Sequence, residues 1–520
     1  MNKLAHLVPI IVQHLDQLLI SGVHTVRPGY KLDAKGWPTT QEAIVVFPQP
    51  GMAPALPVSV AGIPVEVRQP NVFDQARMIQ PTMFSKLAAH RTEFKAGAFT
   101  EFSMQAAPSF ADELMPHVLA TKPQLLYSPP PNGIRLQPVN GRIAVTCHAS
   151  PDAGWPTLKS FLQGVQQTLT VGMYDFTAAH ILREFEQSLA GKRVTLTLDH
   201  PAPNPTADQS DDQTVQALAN AFGASFIQAW ALVKTNPKVA DWIYPNAYHI
   251  KVAVRDSSTV WLSSGNLNKS NQPDIDPINN PQPTDQDIAK KSDRDWHVII
   301  QSPELAAQFE AYLKNDEMVA SQYQLNGNGA SLMGAEIEAV EPAAFKPSLS
   351  SEFVWHKPRT FDSEVTITPL LTPDPGVYQA EMLRRIEAAQ AKLYIQLQYI
   401  HPSNKEGDEN FNALIDAVAQ KIADGLDVKI ILSQYQRSNG WLERLRSAGI
   451  NLANVKLQNG VHNKGFVFDS KVVAIGSQNW SADGVLRNRD ASVILENADA
   501  AAYFEEIFLH DWNTHASQSA

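Results

Sequence analysis

The hydrophobic positions along the chain change period several times, and each change predicts a different element. Near the N-terminus apolar residues recur at helical spacing, at Leu4, Leu7, Ile11, Leu15 and Leu18. This spacing predicts an amphipathic surface helix. His14 and Asp16 interrupt the apolar core that a signal peptide would need, so the helix is favoured over a signal peptide. No run of about 18 apolar residues occurs anywhere, so we expect no transmembrane helix.

The chain up to about residue 135 has the pattern of short strands. Residues 43–47 and 56–68 are rich in β-branched residues and are bounded or broken by Gly and Pro, which is typical of strands. The run Tyr127–Gly133 (YSPPPNG) indicates a linker. No set of residues in this part suggests chemistry. We therefore expect residues 1–135 to form a small, strand-rich N-terminal accessory domain.

From about residue 140 the pattern repeats. Residues 150–154 (SPDAG) are answered by residues 372–376 (TPDPG), 372 − 150 = 222 positions later. Each is followed by an amphipathic helical stretch and then by strands, with the first strands predicted at 169–176 and 392–400 and the second at 194–198 and 428–432. Such alternation predicts helices that cover mixed or mostly parallel sheets, and the repeat is too long for a solenoid unit.

This repeat predicts an α/β fold with two homologous lobes that face one another. We expect the first lobe at residues 136–330 and the second at 361–520. The stretch from about Asn326 to Thr360 has many Gly, Ala, Pro and Ser residues, and the segment 331–360 is predicted to be a linker.

Composition narrows the class of protein. The 520 residues are 44% hydrophobic, enough for sizeable cores, and acids outnumber bases by 53 to 42, for a net charge of −11. This balance argues against a surface that grips nucleic acid nonspecifically, although it allows a local positive pocket. The single cysteine, Cys147, excludes an internal disulfide framework and a zinc site built on several cysteines. No His and carboxylate cluster has metal-ligand spacing, so we expect neither a metal nor a cofactor.

Polar residues suited to phosphate chemistry occur late in each repeat, in the same order. The first copy contains His249, Lys251, Asp256, Ser263, Ser264 and Asn266, and the second contains His462, Lys464, Asp469, Gly476, Ser477 and Asn479. Every position in the second copy lies 462 − 249 = 213 residues after its counterpart. Alternation along a strand places each His and Lys on one face.

The residue types in this pattern suit one chemical task. Lysine supplies a point charge, and Ser and Asn supply hydrogen bonds, for the charged oxygens of a phosphodiester transition state. Histidine can attack phosphorus or move a proton near neutral pH. Two such sets that face each other provide a nucleophile and an acid on opposite sides of the phosphorus, as in-line displacement requires.

Both copies resemble the HKD motif of the phospholipase D superfamily, and the resemblance covers about residues 140–515. It implies that two lobes bring the motifs together, that one histidine forms a phosphohistidine and that the other protonates the leaving group, without a metal. On this resemblance His249 is the expected nucleophile and His462 the expected general acid, and later the base for water or an alcohol. The reverse order stays open.

The resemblance also implies roles for the other motif residues. Lys251 and Lys464 join the histidines as catalytic residues, and the expected phosphate ligands are Ser264, Asn266, Ser477 and Asn479. Asp256 and Asp469 are expected to be structural. The first copy departs from the family's usual Gly at Ser263.

A further pair of acids, Asp295 and Asp490, follows the motifs, each just after an arginine and before an apolar strand. Family members often place an acid here that orients the catalytic imidazole, so both are candidate catalytic residues. The alternative is that they merely pair with the neighbouring Arg294 and Arg489. The spans from His to Asp are unequal, 295 − 249 = 46 against 490 − 462 = 28, because of an insertion at 269–291.

The resemblance leaves the substrate open between phospholipids and nucleic acids. Loops after parallel strands line the site in such sheets, and two segments there, 201–213 and 269–291, are acidic. A nuclease that works through phosphate contacts should show the opposite charge. We therefore expect a phospholipase D that hydrolyses glycerophospholipids and transfers them to alcohols, with an endonuclease acting on DNA or RNA as the alternative.

The partners expected under this reading follow from the substrate. They are a phospholipid at a membrane or micelle surface and water or an alcohol as acceptor, while nucleic acid is a partner only under the alternative. We expect a soluble monomer, cytoplasmic or exported without a cleavable signal peptide.

Overall fold

The computed structural model describes residues 6–18, 23–32, 38–48, 56–68, 135–199, 207–236, 239–242, 247–322, 354–374 and 377–518. These residues form two compact units, 6–68 and 135–518. Several predicted features lie outside the described residues: Leu4, the linker at Tyr127–Gly133, residues 201–206 of the first acidic segment, and the second linker up to residue 353. The predicted domain boundaries therefore stay predictions.

The N-terminal unit is rich in strands, as predicted. It contains helices α1 Leu7–Gln13 and α2 Leu15–Leu18 and strands β1 Val23–Leu32, β2 Pro38–Pro48, β3 Ser59–Val60 and β4 Ile63–Val67. The strands lie in the order β1-β2-β4-β3. Ile11 and Leu18 are buried in a small cluster with Ile44 and Val46, so the predicted amphipathic helix is present in two pieces that meet at His14.

The larger unit contains the two predicted lobes, built from similar successions of elements. The first lobe comprises β5 Val139–Ser150, α3 Gly154–Gln163, β6 Thr168–Met173, α4 Ala179–Ser188, β7 Arg193–Leu198, α5 Asp211–Phe222, β8 Phe226–Trp230, β9 Leu232–Asn236, β10 Val239–Trp242, β11 Lys251–Arg255, β12 Thr259–Ser263, α6 Asp285–Ala289, β13 Asp295–Gln301 and α7 Pro303–Gln322. The second comprises β14 Arg359–Thr372, α8 Val377–Ala388, β15 Lys392–Leu397, α9 Glu409–Ala423, β16 Asp427–Ser433, α10 Trp441–Ser447, β17 Val455–Gln458, β18 Lys464–Phe468, β19 Val472–Gly476, α11 Ala482–Leu486, β20 Asp490–Glu496, α12 Ala498–Thr514 and β21 Ser517–Gln518. The two successions differ by the strands β9 and β10 in the first lobe and β21 in the second.

The two lobes share one mixed sheet of 15 strands. Its order is β21-β17-β16-β15-β18-β19-β20-β14-β5-β13-β12-β11-β6-β7-β8. The pairs β6-β7, β7-β8, β15-β16 and β16-β17 are parallel, and all other neighbours in this sheet are antiparallel. The lobes are joined by the antiparallel pair β5-β14, which runs from Val139↔Ile367 to Cys147↔Arg359. The fold is therefore α/β as predicted, with a single continuous sheet.

Alternating strand residues fill different cores on the two faces of this sheet. On β11, Val252 and Val254 join a core with helices α7 and α12 that contains residues of both lobes. Ala253, between them, joins a separate core with α3, α4 and α5. The second lobe has a matching core of its own with α8 and α9. The shared core fixes the lobes against each other beneath the ends of their central strands.

No helix in the described part of the chain is long and apolar enough to cross a membrane.

Candidate active site

The two motifs occupy matching places in the sheet. His249 and His462 come just before β11 and β18, whose first residues are Lys251 and Lys464. Lys251 is paired with Met173, and Lys464 with Leu397, at the carboxyl ends of β6 and β15. Each lysine Nζ donates to the carbonyl oxygen of the histidine of its own motif, at 2.8 Å and 2.6 Å. The lysines are thus folded back over their histidines, and all four side chains are buried.

The two acids that follow the motifs are hydrogen-bonded across the lobes. Nδ1 of His249 lies 2.8 Å from Oδ1 of Asp490, and Nδ1 of His462 lies 3.0 Å from Oδ1 of Asp295. Each histidine is therefore oriented by the acid of the other lobe, although the sequence pairs each acid with the histidine before it. The crossing brings both motifs into one site.

The backbone crosses in the same way. Tyr248, just before His249, forms a parallel bridge with Arg489, and Val461, just before His462, forms one with Arg294. The Arg489 N–H donates to Ala247 at 2.8 Å. Each Arg-Asp dipeptide thus lies beside the residues that precede the opposite motif. This placement explains why its acid reaches the opposite histidine.

The two arginines form buried ion pairs with other acids. Arg294 binds Asp511 of α12 through Nε and Nη2, at 2.9 and 3.2 Å, and it also binds Asp152. Arg489 binds Asp316 of α7 through the same two nitrogens, at 3.0 and 2.7 Å. In the ion pairs Arg294–Asp511 and Arg489–Asp316, the two partners belong to different lobes. The sequence contains a signal for them, since 489 − 294 and 511 − 316 are both 195.

Ser264 and Ser477, predicted as phosphate ligands, are turned to the acids instead. The Ser264 hydroxyl donates to Oδ1 of Asp295 at 2.7 Å, and the Ser477 hydroxyl donates to Oδ1 of Asp490 at 2.5 Å. Each hydroxyl also accepts a backbone N–H, at 3.0 Å. A hydroxyl has one proton to donate, so in this geometry both serines hold the carboxylates and have no proton left for a phosphate oxygen.

The asparagines of the motifs lie in the same buried region. Asn266 is buried and its backbone N–H donates to the side-chain oxygen of Asn271 at 2.9 Å. Asn479 is 5% exposed, and no described residue donates to its Oδ1. Their binding of phosphate stays a prediction.

Asp256 and Asp469 hold turns at the other ends of the motif strands. Asp256 accepts the N–H groups of Gln166, Gln167 and Thr168 at 2.7–2.9 Å. Asp469 accepts those of residues 390–392 at 2.7–3.2 Å. Burial raises the pKa of both carboxyls, but the backbone N–H groups outweigh it, so each pKa lies below its ordinary value. These contacts are structural in kind.

Burial and neighbouring charges tune the central groups. Burial, followed by the Lys251 ammonium, lowers the pKa of His249, while Asp490 acts in the opposite direction. Burial raises the pKa of the Asp295 carboxyl, but His462 and Lys464 outweigh it and hold that pKa below its ordinary value. His249 is therefore held neutral at neutral pH and Asp295 ionised, the states that a nucleophilic imidazole and an orienting carboxylate need.

The site is also supported by contacts that the sequence motifs did not indicate. Oδ1 of Asp199 accepts the backbone N–H of Tyr248 at 2.6 Å, and the Tyr248 hydroxyl donates to Asp316 at 3.1 Å. The Tyr174 ring lies 4.9 Å from the imidazole of His249 and 5.1 Å from Nζ of Lys251. Asp199, Tyr248 and Tyr174 do not occupy positions of the repeated motif, which is why sequence reasoning gave them no role in catalysis.

Several carboxylates of the acidic segments are buried or paired within the protein. Asp211 is buried and accepts the N–H of Phe176, and Asp285 is buried and accepts that of Gln282. Asp208 forms an ion pair with Lys269 at 3.3 Å. Asp212, Asp274 and Asp287 are exposed, and Asp287 forms an ion pair with Lys290 at 3.6 Å. Among the described residues, no group of three or more His, Cys, Asp and Glu side chains is placed to hold a metal ion.

Comparisons with known proteins agree with the motifs. The family described as "Cardiolipin synthase, PLD-like domain" matches residues 382–512. A phospholipase D of Rickettsia bellii is 31% identical over 116 residues, which cover 22% of this chain and 54% of that protein. A mitochondrial cardiolipin hydrolase of Mus musculus is 31% identical over 90 residues, 17% of this chain and 41% of that protein. The chain thus spans about half, or less, of these curated relatives.

Solved structures include similar chains. A phosphatidylserine synthase of Haemophilus influenzae aligns over 79% of this chain and 91% of its own, with 14% identity and a TM-score of 0.49. The phospholipase D family member Nuc of Salmonella typhimurium aligns over 30% of this chain and 99% of its own, with 18% identity and a TM-score of 0.25.

Two HKD motifs meet in one buried site on a shared α/β sheet, and residues 382–512 match a PLD-like domain. The chain is therefore similar to members of the phospholipase D superfamily.

Proposed function

We propose that the protein is a phospholipase D-type enzyme that hydrolyses glycerophospholipids, and transfers them to alcohols, through a phosphohistidine. The observation that carries the proposal is the crossed pair of hydrogen bonds, His249 to Asp490 and His462 to Asp295. These bonds orient two imidazoles in a single site, which is the arrangement that double displacement at phosphorus needs.

In the first step Nε2 of His249 attacks phosphorus and the bond to the head-group oxygen breaks. His249 is suited to this step because its pKa is lowered and Nδ1 is engaged by Asp490, so Nε2 carries the lone pair. Protonated His462 gives its Nε2 proton to the departing oxygen. The lysines offset the charge on the phosphoryl oxygens.

In the second step neutral His462 removes a proton from water or an alcohol, whose oxygen attacks phosphorus. The phosphorus–nitrogen bond then breaks and His249 recovers its lone pair. Lys464 Nζ lies 2.9 Å from Nε2 of His462, a contact that suits the neutral, proton-accepting form of this histidine because an ammonium can only donate. The product is a phosphatidic acid or a phosphatidyl alcohol.

A lipid is the favoured substrate over nucleic acid. The exposed carboxylates Asp212, Asp274 and Asp287 would repel a polyanion, whereas a zwitterionic head group with a cationic end tolerates them. The curated relatives include a protein named phospholipase D and one named cardiolipin hydrolase. We propose that the protein meets its lipid at a membrane or micelle surface and works as a monomer.

Head-group release from phosphatidylcholine in mixed micelles tests the proposal. We expect release by the full chain to persist in excess chelator and to vanish in His249→Ala and in His462→Ala. His14→Ala, in the N-terminal unit, is the matched control and should retain the wild-type rate. Cleavage of DNA or RNA but not of lipid by the same preparation would overturn the choice of substrate and support the endonuclease alternative.

Quenching in alkaline detergent shortly after substrate is mixed in tests the covalent step, because a phosphorus–nitrogen bond survives base and is broken by acid. We expect acid-labile phosphate on His249 and none on it in the Ala variant. Phosphate on His462 would exchange the two roles, and a turnover burst without any phosphohistidine would reject double displacement.

A further inference from the structure

We infer that His297 is a positioning residue, which fixes the turn at residues 263–265 behind Asp295 and thereby sets the hydrogen bond that orients His462. The inference rests on the proposed function, in which His462 is the general acid. His297 lies on β13, two residues after Asp295 and so on the same face of that strand, and it is fully buried.

His297 joins two serines on neighbouring strands. Its Nδ1 lies 2.7 Å from Oγ of Ser263, which is directly opposite it in the β12-β13 pair. Its Nε2 lies 2.9 Å from Oγ of Ser150 on β5. The register of the sheet therefore places the imidazole between these two hydroxyls.

The Ser263 hydroxyl connects the imidazole to the turn. It accepts the Gly265 N–H at 2.8 Å and donates to the Gly265 carbonyl, also at 2.8 Å. Because its one proton is used in this way, Nδ1–H of His297 donates to Ser263. Nε2 is left to accept from Ser150, whose hydroxyl is nearer to it, at 2.9 Å, than to Oε1 of Gln272, at 3.4 Å. Burial lowers the pKa of His297 to about 4, against the opposing effect of Asp295. The ring is thus neutral, with the one donor and one acceptor that this chain of hydrogen bonds requires.

The position of residues 263–265 determines where Asp295 lies. A Cβ atom at Gly265 would come within 2.6 Å of Oδ2 of Asp295, so the backbone of the turn packs directly behind the carboxylate. The next residue back, Ser264, donates to Oδ1. A shift of the turn would therefore move both contacts of the carboxylate that holds His462.

The second lobe supports its turn by different residues at the same positions. Gly476 and Gln478 stand 213 residues after Ser263 and Gly265 (476 − 263, 478 − 265), and Ser492 stands where the strand has His297 (492 − 297 = 195). The Ser492 hydroxyl donates to the side-chain oxygen of Gln478. A Cβ at Gly476 would come within 1.6 Å of Oγ of Ser492, so a serine would not fit there. The first lobe therefore differs from the second at both positions together: it has Ser263 in place of the usual glycine and His297 in place of the serine.

Two variants test the inference. His297→Phe keeps the ring and removes both hydrogen bonds, and Ser263→Ala removes the hydroxyl that joins the ring to the turn. His148→Phe is the matched control. His148 lies on β5 and its ring stacks on that of His297, with 4.8 Å between the ring centroids, but it makes no hydrogen bond to the turn. Each enzyme is assayed on phosphatidylcholine and on bis(p-nitrophenyl) phosphate, whose leaving group needs little protonation.

For phosphatidylcholine we expect kcat to fall by about 10- to 100-fold in both variants, as it does when the outer partners that orient a metal-bound histidine are removed, with KM unchanged. The loss on the nitrophenyl ester should be several-fold smaller, because the affected group is the general acid. The double variant should lose no more than the worse single variant, since both act through one chain of hydrogen bonds.

Three results would overturn the inference: wild-type kcat in both variants, equal losses on the two substrates, or additive losses in the double variant. If His297→Phe does not fold, Ser263→Ala carries the same expectations by itself. Failure of the proposed function looks different, because then the wild-type protein forms no phosphohistidine or does not release the head group.

Discussion

Single residues in the site act across the boundary between the lobes. A carboxylate on Nδ1 selects the tautomer that leaves Nε2 available, and it stabilises the imidazolium that forms during proton transfer. Here Asp490 does this for His249 and Asp295 does it for His462. A substitution of the acid in one half of the sequence should therefore affect the orientation of the histidine in the other half and not of the histidine in its own half.

Replacement of either acid by its amide should slow the enzyme strongly. We expect Asp490→Asn and Asp295→Asn each to lower kcat by about 100-fold or more, because the amide can present its NH₂ group to Nδ1 and favour the wrong tautomer. Steady-state head-group release measures this. Asp287→Asn, at an exposed position of the insertion, is the control and should be unaffected. Wild-type rates in the two site variants would show that the acids do not orient the histidines.

The dependence of the rate on pH has a definite sign. The proposed nucleophile, His249, must be neutral to attack, and burial and Lys251 lower its pKa from the ordinary value of 6.5. Activity should therefore persist below pH 6.5 and fall only as the pH drops through the lowered pKa. In Lys251→Met the loss of a cation should move this acid limb of kcat/KM to higher pH. In Asp490→Asn the loss of an anion should move it to lower pH, and shifts in the same direction would contradict the assignment.

At the scale of elements, each motif strand is followed directly by an aspartate in a left-handed backbone conformation. Asp256 and Asp469 have φ angles of 51° and 52°, and their carboxylates accept the backbone N–H groups at the start of β6 and β15. The hairpin of each motif is thereby tied to the parallel strand beside it.

Loss of this tie should destabilise the fold. We expect Asp256→Ala to lower the free energy of unfolding by about 1–3 kcal/mol, because backbone donors lose their acceptor and alanine tolerates the left-handed region poorly. Asp256→Asn keeps an oxygen acceptor and a side chain that accepts this conformation, so its loss should be smaller. Urea unfolding measures both, and equal losses would show that the carboxylate contacts are not what matters.

The sequence predicted local elements well because their patterns are local. The strands expected at 194–198 and 428–432 are β7 and β16, and the helices after residues 154 and 376 are α3 and α8. The motifs were found because a six-position pattern occurs twice. The crossing of Asp295 and Asp490 could not be read in this way, since neither spacing nor periodicity tells which lobe an acid will face. His297 was missed because it breaks the repeat instead of following it.

At the scale of the whole molecule, buried arginines connect the lobes. Arg489 extends from the second lobe to Asp316 of the first, and Arg294 extends from the first to Asp511 of the second. All four side chains are buried. These pairs hold the two Arg-Asp dipeptides in place, so the contacts between the lobes and the orientation of the histidines depend on the same residues.

Removal of one partner should therefore affect stability and activity together. We expect Arg489→Met to lower the free energy of unfolding by about 3–5 kcal/mol, because Asp316 is left as a buried unpaired charge. The double variant Arg489→Met with Asp316→Leu should regain much of this stability but not the activity, since Asp490 has lost its fixed neighbour. Thermal unfolding and head-group release measure the two effects. If the double variant is no more stable than the single one, the buried charge is not the cause.

The crossed site also bears on how its two halves can change. In a dimer of identical chains every substitution appears on both sides, and the twofold symmetry of the site is preserved. Here both halves are in one chain, so a substitution can break that symmetry. The contrast between Ser263 with His297 and Gly476 with Ser492 is one such one-sided change. Because the two halves lie in one chain, the surroundings of His249 and of His462 can change separately.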